Sequence, residues 1–294
     1  MYFVDFIYDG YRLSDLGCMV GAAVTSNNDS VEMGSVVKLE TAINHGSYVS
    51  EIINADYPDV YTVTFDIFKK NCGKGYNDVF EDKEITWFMR WLNRKEYHKF
   101  VPLYDNPKDF YRIFYRGTFT DCKAINIGGE VYGFTLTFTS NSPFAYLDYP
   151  ISEFDVTASG ETFTIVNPRT GVSESVTGNH FDIYDQSEEL GFVYPTKFTI
   201  KVTQAGRLVI KNSFDKSNRY TEVNNCVANE TLTFDCIHKI ITSDKNHTKL
   251  YNDFNYVFPR LNNEFKNNLN RIYVSRNSHI TIEYYPIRKV GIVS

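Results

Sequence analysis

The stretch DKEITWFMRWLNRKEYHKF, residues 82–100, reads as a helix inside a chain that otherwise reads as strand. Ile85, Phe88, Met89 and Leu92 stand at i, i+3, i+4 and i+7, one stripe of a helical surface. Asp82 is the expected N-cap, and Glu84 places negative charge in the first turn. Trp87 and Trp91, the only two tryptophans of the chain, form an i, i+4 pair that widens the stripe. Arg90, Arg94, Lys95 and Lys99 gather toward the C-terminal end, where the helix dipole favours positive charge, so they read as a solvated face rather than a phosphate site. A helix apolar on more than one side must be covered, most simply by a sheet. Ile85, Trp87, Phe88, Met89, Trp91 and Leu92 are therefore expected to be packing residues of a helix over about 82–94, a scaffold element rather than a ligand box.

Outward from that helix the pattern is period two. In YTVTFDIF (61–68), Tyr61, Val63, Phe65 and Ile67 share one face, and Thr62, Thr64 and Asp66 the other. Tyr132, Phe134, Leu136 and Phe138 alternate with Thr135, Thr137 and Thr139 in the same way. At the N-terminus, Tyr2, Val4, Phe6 and Tyr8 alternate up to the turn signal Asp9-Gly10. Residues 21–35 are small and polar without periodicity and read as a loop. Asn141-Ser142-Pro143 ends a strand, and the junction after it divides the chain into 1–145 and 146–294. Beyond it, ETFTIVN, TKFTIKVT, RLVIKN, ETLTFDC, RIYVS and HITIEYY are short alternating strands without helices between them. That succession predicts an antiparallel β-sandwich. The fold class is thus mostly β, with an N-terminal β domain carrying one packed helix followed by a sandwich.

Bulk properties narrow the function. The chain has 294 residues, enough for two domains that each bury a core. Tyr and Phe dominate an aromatic share of 16%, which favours pleated, half-buried surfaces. A net charge of −6 argues against a surface built to neutralise nucleic-acid phosphates. Cys18, Cys72, Cys122, Cys226 and Cys236 are odd in number, widely spaced and without a CxxC pair, so they form neither a disulfide framework nor a zinc site. They read as small apolar residues of a protein folded in a reducing cytoplasm. Asp5 and Asp9 interrupt the segment where a signal peptide would need its apolar core, and no apolar run approaches the length of a bilayer span.

Chemistry is sparse. The sequence has no GxSxG, HExxH, Walker or EF-hand pattern. His180, Asp182 and Asp185 make an incomplete ligand set and read as a solvated strand end. Glu188-Glu189 reads as a charged turn rather than a glycosidase pair. No catalytic residues, cofactor or metal site can be named. In LYNDFNYVFPRLNNEF (250–265), Tyr251, Phe254 and Arg260 are weak candidates for holding a sugar ring. The competing reading puts Tyr256 and Phe258 in a core.

Several stretches, taken in order, resemble the distal tail proteins of long-tailed bacteriophages. FIYDGYRLSDLGCMV resembles that family's opening strand and DG turn. YTVTFDIFKKN, the EITWFMRWLNRKEYHKF helix, FYRIFYRGTFTD and GEVYGFTLTFTSNSPFAY follow as in its first domain. YPTKFTIKV, LVIKN, LTFDC, NYVFPRL, NRIYVS and ITIEYYP are similar to its second. The segment NNEFKNNLNRI departs from the family's usual Gly-Asn pair, with Asn270 in place of the usual asparagine. The resemblance implies a structural protein of the tail tip or baseplate, not an enzyme. Its first domain would form a ring, usually a hexamer, that continues the tail tube and contacts the tail hub or fibre protein. Its second would be a galectin-like sandwich that serves as an outer platform for receptor-binding proteins. DNA would pass through the lumen without specific binding, and the protein would reside in the virion. The alternative is a carbohydrate-binding module or adhesin that uses the sandwich itself. Both tryptophans lie in the first half, which disfavours it.

Overall fold

A computed structural model describes residues 3–21, 37–44, 49–57, 60–70, 78–104, 113–148 and 152–289. All but Gly21 of the polar stretch 21–35, the break at 72–77 with Cys72, and Pro150 lie outside the described residues. The chain divides into two compact units, one reaching Asp148 and regaining the chain at Ile287, the other running from there to Pro286.

The first unit opens with β1 (Phe3–Tyr8), β2 (Tyr11–Arg12), a 3-10 turn (Leu13–Leu16) and β3 (Cys18–Val20). It continues with β4 (Lys38–Asn44), β5 (Val49–Asp56), β6 (Thr62–Lys69) and α1 (Asp82–Leu92). Then come β7 (His98–Tyr104), β8 (Ile113–Ile127), β9 (Glu130–Ser140) and β10 (Ala145–Leu147). Its main sheet is antiparallel, in the order β2-β1-β7-β8-β9-β6-β3, with β10 added on β8.

Asp9 and Gly10 both have positive φ, 49° and 82°, the geometry of a tight primed hairpin turn joining Tyr8 to Tyr11. The expected alternation in β1 is broken at Val4, which is 48% exposed. A register shift against β7 between Phe3 and Asp5 bulges Val4 outward and turns both neighbours inward. Asp5 is consequently buried, where its carboxylate accepts from the amides of Phe6 and Ser14 and from Arg12 Nε at 2.6 Å. It therefore fixes the 3-10 turn, a role that its position in the sequence did not announce. The core of this unit is aromatic. Phe3, Phe6, Phe65, Phe100, Phe119 and Phe138 are buried in one another's company, with Phe100 stacked on Phe138 at 4.3 Å.

The second unit comprises β11 (Ser152–Val156), β12 (Glu161–Val166), β13 (Ser173–Tyr184), β14 (Gly191–Val193), β15 (Lys197–Val202) and β16 (Gly206–Asn212). There follow β17 (Thr221–Cys226), β18 (Glu230–Asp235), β19 (Ile240–Ser243), a single helical turn α2 (Leu250–Asp253), β20 (Leu261–Asn263), β21 (Leu269–Val274) and β22 (Ser278–Glu283). Two five-stranded antiparallel sheets, β11-β22-β15-β18-β19 and β12-β13-β21-β16-β17, form a sandwich. Alternate residues of both, such as Ile200, Phe234 and Ile280 from one and Leu208, Ile272 and Val274 from the other, make a single core. β13 pairs with β12 up to Gly178 and with β21 after it. A Cβ at Gly178 would collide with the carbonyl oxygen of Val274, so this change of partner needs glycine. Beyond Pro286 the chain rejoins the first unit, where β23 (Ile287–Arg288) pairs with β10.

Candidate assembly surfaces

Helix α1 begins one residue earlier than its spacing predicts. Glu81, not Asp82, is the N-cap, and its amide donates to Glu84 Oε2 at 2.7 Å. Glu84 also pairs with Lys69 Nζ at 2.6 Å, tying the first turn to the end of β6. Phe88, Trp91 and Leu92 are buried, while Ile85 and Met89 are half-buried along the edge of the same stripe. Trp91 stacks on Phe6 with the rings 6.0 Å apart, and its Nε1 donates to the Tyr8 carbonyl at 3.1 Å. Phe88 packs on Phe134 and Phe80. Trp87 is different: it is 38% exposed, lying against Trp91 on one side and the exposed Tyr11 on the other.

The hairpin β4–β5 pairs, among the described residues, only with itself. Its register places Leu39, Thr41 and Ile43 opposite Ala55, Ile52 and Ser50, which makes one face largely apolar. Lys38, Glu40 and Ala42 face Asp56, Asn54 and Glu51 on the other side. Leu39, Ile43, Ile52 and the bulged Ile53 are all more than half exposed, between 52% and 69%. Such alternation belongs to a strand pair that buries one side, and a lone two-stranded hairpin is marginal in water.

In the sandwich, the aromatic candidates do not converge. Phe254 is buried, packed on Phe234 and Phe258, and has no face free for a sugar. Tyr251 lies exposed on α2. Arg260 is held by Asp215 through Nε at 2.8 Å and a terminal nitrogen at 2.9 Å. Of the pair read as core, Phe258 is buried, but Tyr256 turns outward with φ of 58°. His180 and Asp182 face separate partners, Glu161 at 2.7 Å and Arg271 at 2.9 Å. Asp185 is buried, its Oδ1 accepting from the Ser187 amide, and burial raises its carboxyl pKa. Cys18, Cys226 and Cys236 are buried free thiols, and burial pushes each up to about 12. Among the described residues, no group of three or more His, Cys, Asp or Glu is arranged to hold a metal ion. No described helix is long and apolar enough to cross a membrane.

Missed by sequence reasoning is a buried constellation near α2. His247 Nδ1 meets Glu230 Oε1 at 2.8 Å, and its Nε2 meets Asp253 Oδ2 at 3.0 Å. The three residues are dispersed along the sequence, and nothing in their spacing signals the contact.

Two family models match the chain. Residues 1–142 match a phage tail protein N-terminal domain, and residues 167–284 match a phage tail C-terminal domain. The matches follow one another in chain order, each falling within one of the two β units. The chain belongs to this family of phage tail proteins, and is thus a component of the virion. Among solved structures it is similar in fold to the Dit protein of phage SPP1, described as a paradigm of the hub adsorption apparatus in phages infecting Gram-positive bacteria. That alignment has a TM-score of 0.61 at 14% identity and covers 97% of this chain and 99% of the other. A chain of the phage p2 baseplate in its activated conformation with Sr aligns at a TM-score of 0.46 and 8% identity, over 99% of both chains. No curated protein sequence matches the chain.

Proposed function

We propose that this tail protein is a non-catalytic, ring-forming hub subunit of the tail tip. Its first domain, 1–145, assembles into a ring, a hexamer in our reading, that continues the tail tube and meets the hub or fibre protein. Its second, 146–294, is a galectin-like sandwich that offers receptor-binding proteins an outer platform. The full-length likeness to the SPP1 hub protein supports the reading at the level of fold.

The observation that carries it is the β4–β5 hairpin. Among the described residues, nothing covers its apolar face. A neighbouring copy of the same chain is the occupant that a head-to-tail ring provides. Fully burying each of the large aliphatic side chains there contributes about 1.5–3 kcal/mol. An acidic chain also suits a lumen through which DNA slides, because fixed cations would retain its phosphates.

Light scattering with negative-stain imaging tests this directly. The wild-type protein is expected to form closed rings, and the triple variant Leu39→Ser, Ile43→Ser, Ile52→Thr to run as a folded monomer. A wild type that stays monomeric at every concentration, alone and with its tail tube partner, would sink the ring reading. Binding of that monomer to a glycan array would favour the carbohydrate-binding alternative instead.

A further inference from the structure

The sandwich unit gathers cations around one tyrosine. Lys239 Nζ stands 3.1 Å from the centroid of the Tyr194 ring. Arg219 donates to the Tyr194 hydroxyl at 3.2 Å. Two residues before Tyr194, the Phe192 ring carries the Arg260 guanidinium at 3.4 Å from its centroid. Two of these cations therefore flank a single phenol, and the third, stacked on the neighbouring aromatic ring, also hydrogen-bonds to the Tyr194 hydroxyl.

Their counter-charges are few. Asp215 is buried and is occupied by Arg260 and by the amide and hydroxyl of Ser217. Asp235, on the same turn as Lys239, accepts from the amides of Ile237 and His238 and meets His238 Nδ1 at 2.8 Å. Among the described residues, Arg219 and Lys239 are thus left facing a hydroxyl and ring faces, where ion pairs would ordinarily supply carboxylates. Such contacts are weaker than a charge-assisted hydrogen bond. The local potential leaves its mark on Tyr194 itself. Burial pushes its phenol up, but the bond from Arg219, the charges of Arg219 and Lys239 and the bond from Arg260 outweigh this and lower its pKa. This happens in a chain whose net charge is −6, so it is a property of the place and not of the composition. Arg219 and Arg260 also line a cleft shared with Ile210, Phe258 and Ile272 and with Asp215, whose carboxylate is taken up by Arg260.

We propose that Arg219, Lys239 and Arg260 form a binding site for an oxyanion, a carboxylate or phosphate group, beside Tyr194. The anion takes the donor that Arg219 now offers to the phenol and a donor from Lys239. Arg260, held between Asp215 and Phe192 with its charge balanced by Asp215, fixes the wall of the site. The site accounts for two observations at once: cations resting on π faces, and an open cleft with guanidinium on its edge.

Isothermal titration of the full-length protein with inorganic phosphate and with acetate, at constant ionic strength, tests it. Saturable one-site binding is expected with at least one of the two anions, and the tighter identifies the group. Arg219→Gln and Lys239→Gln should each weaken it about tenfold or more, the loss of a charged hydrogen bond. Lys239 is on an exposed turn, so its variant remains informative if Arg219→Gln fails to fold. Tyr194→Phe keeps the ring under Lys239 and frees Arg219, and should bind as tightly as wild type or tighter. Lys197→Gln, on β15, removes the same charge elsewhere and should change nothing. Absence of saturation with both anions, or equal weakening by Lys197→Gln and Lys239→Gln, would overturn the assignment.

Discussion

At the scale of single residues, the two tryptophans separate. Trp91 stacks on Phe6 and donates to the Tyr8 carbonyl from a buried position. Trp91→Ala should destabilise the first unit by about 3–5 kcal/mol, through lost burial and the cavity left behind. Trp87→Ala, at a 38% exposed site, should cost well under half as much. Urea midpoints of the two variants check the difference, and equal losses would contradict the packing described. His247 makes the second prediction. Its side chain is 5% exposed and both ring nitrogens face carboxylates, which accept but do not donate, so both nitrogens must carry protons. Burial pulls its pKa down, but the bonds and charges of Asp253 and Glu230 outweigh that and raise it. The folded state thus holds a proton that the unfolded chain releases near pH ~6.5. This stabilisation is complete below that pH and is lost as pH rises through the higher folded-state value. Stability of the second unit should fall across that window in wild type, and the fall should be absent in His247→Gln.

Elements obey rules that are partly local. The α1 stripe was legible because helical periodicity and capping act within a few residues, and the N-cap shifted only from Asp82 to Glu81. The strands of the second half were legible for the same reason, since alternation marks a half-buried strand wherever it pairs. The failures came from partners distant in sequence. The Val4 bulge depends on the register with β7, and Phe254 is core because α2 delivers it onto Phe234. β13 is held on both sides by different strands, and Gly178 marks the exchange. Gly178→Ala should cost about 1–3 kcal/mol, because backbone rather than a flexible side chain fills the space. A variant as stable as wild type in chemical denaturation would mean that β13 can shift away from β21.

The whole molecule consists of two units, each with its own hydrophobic core. Units that each possess a core can melt separately. Differential scanning calorimetry of Trp91→Ala should therefore lower one transition and leave the other in place, whereas a uniform shift would indicate cooperative unfolding of both.

Composition, strand alternation and the single helical stripe determined by themselves that this is a mostly β protein with one packed helix, and the ordered set of motifs pointed to a phage tail. These are signals written over a few neighbouring residues, where backbone sterics and side-chain period act directly. Only the tertiary structure decided that Asp5 fixes a turn, that His247 lies between two carboxylates, that Leu39, Ile43 and Ile52 share a face left exposed by the described residues, and that three cations meet at Tyr194. The reason is physical: strand register and chain return set those contacts, and a register is chosen by the energy of a whole sheet rather than by any one segment.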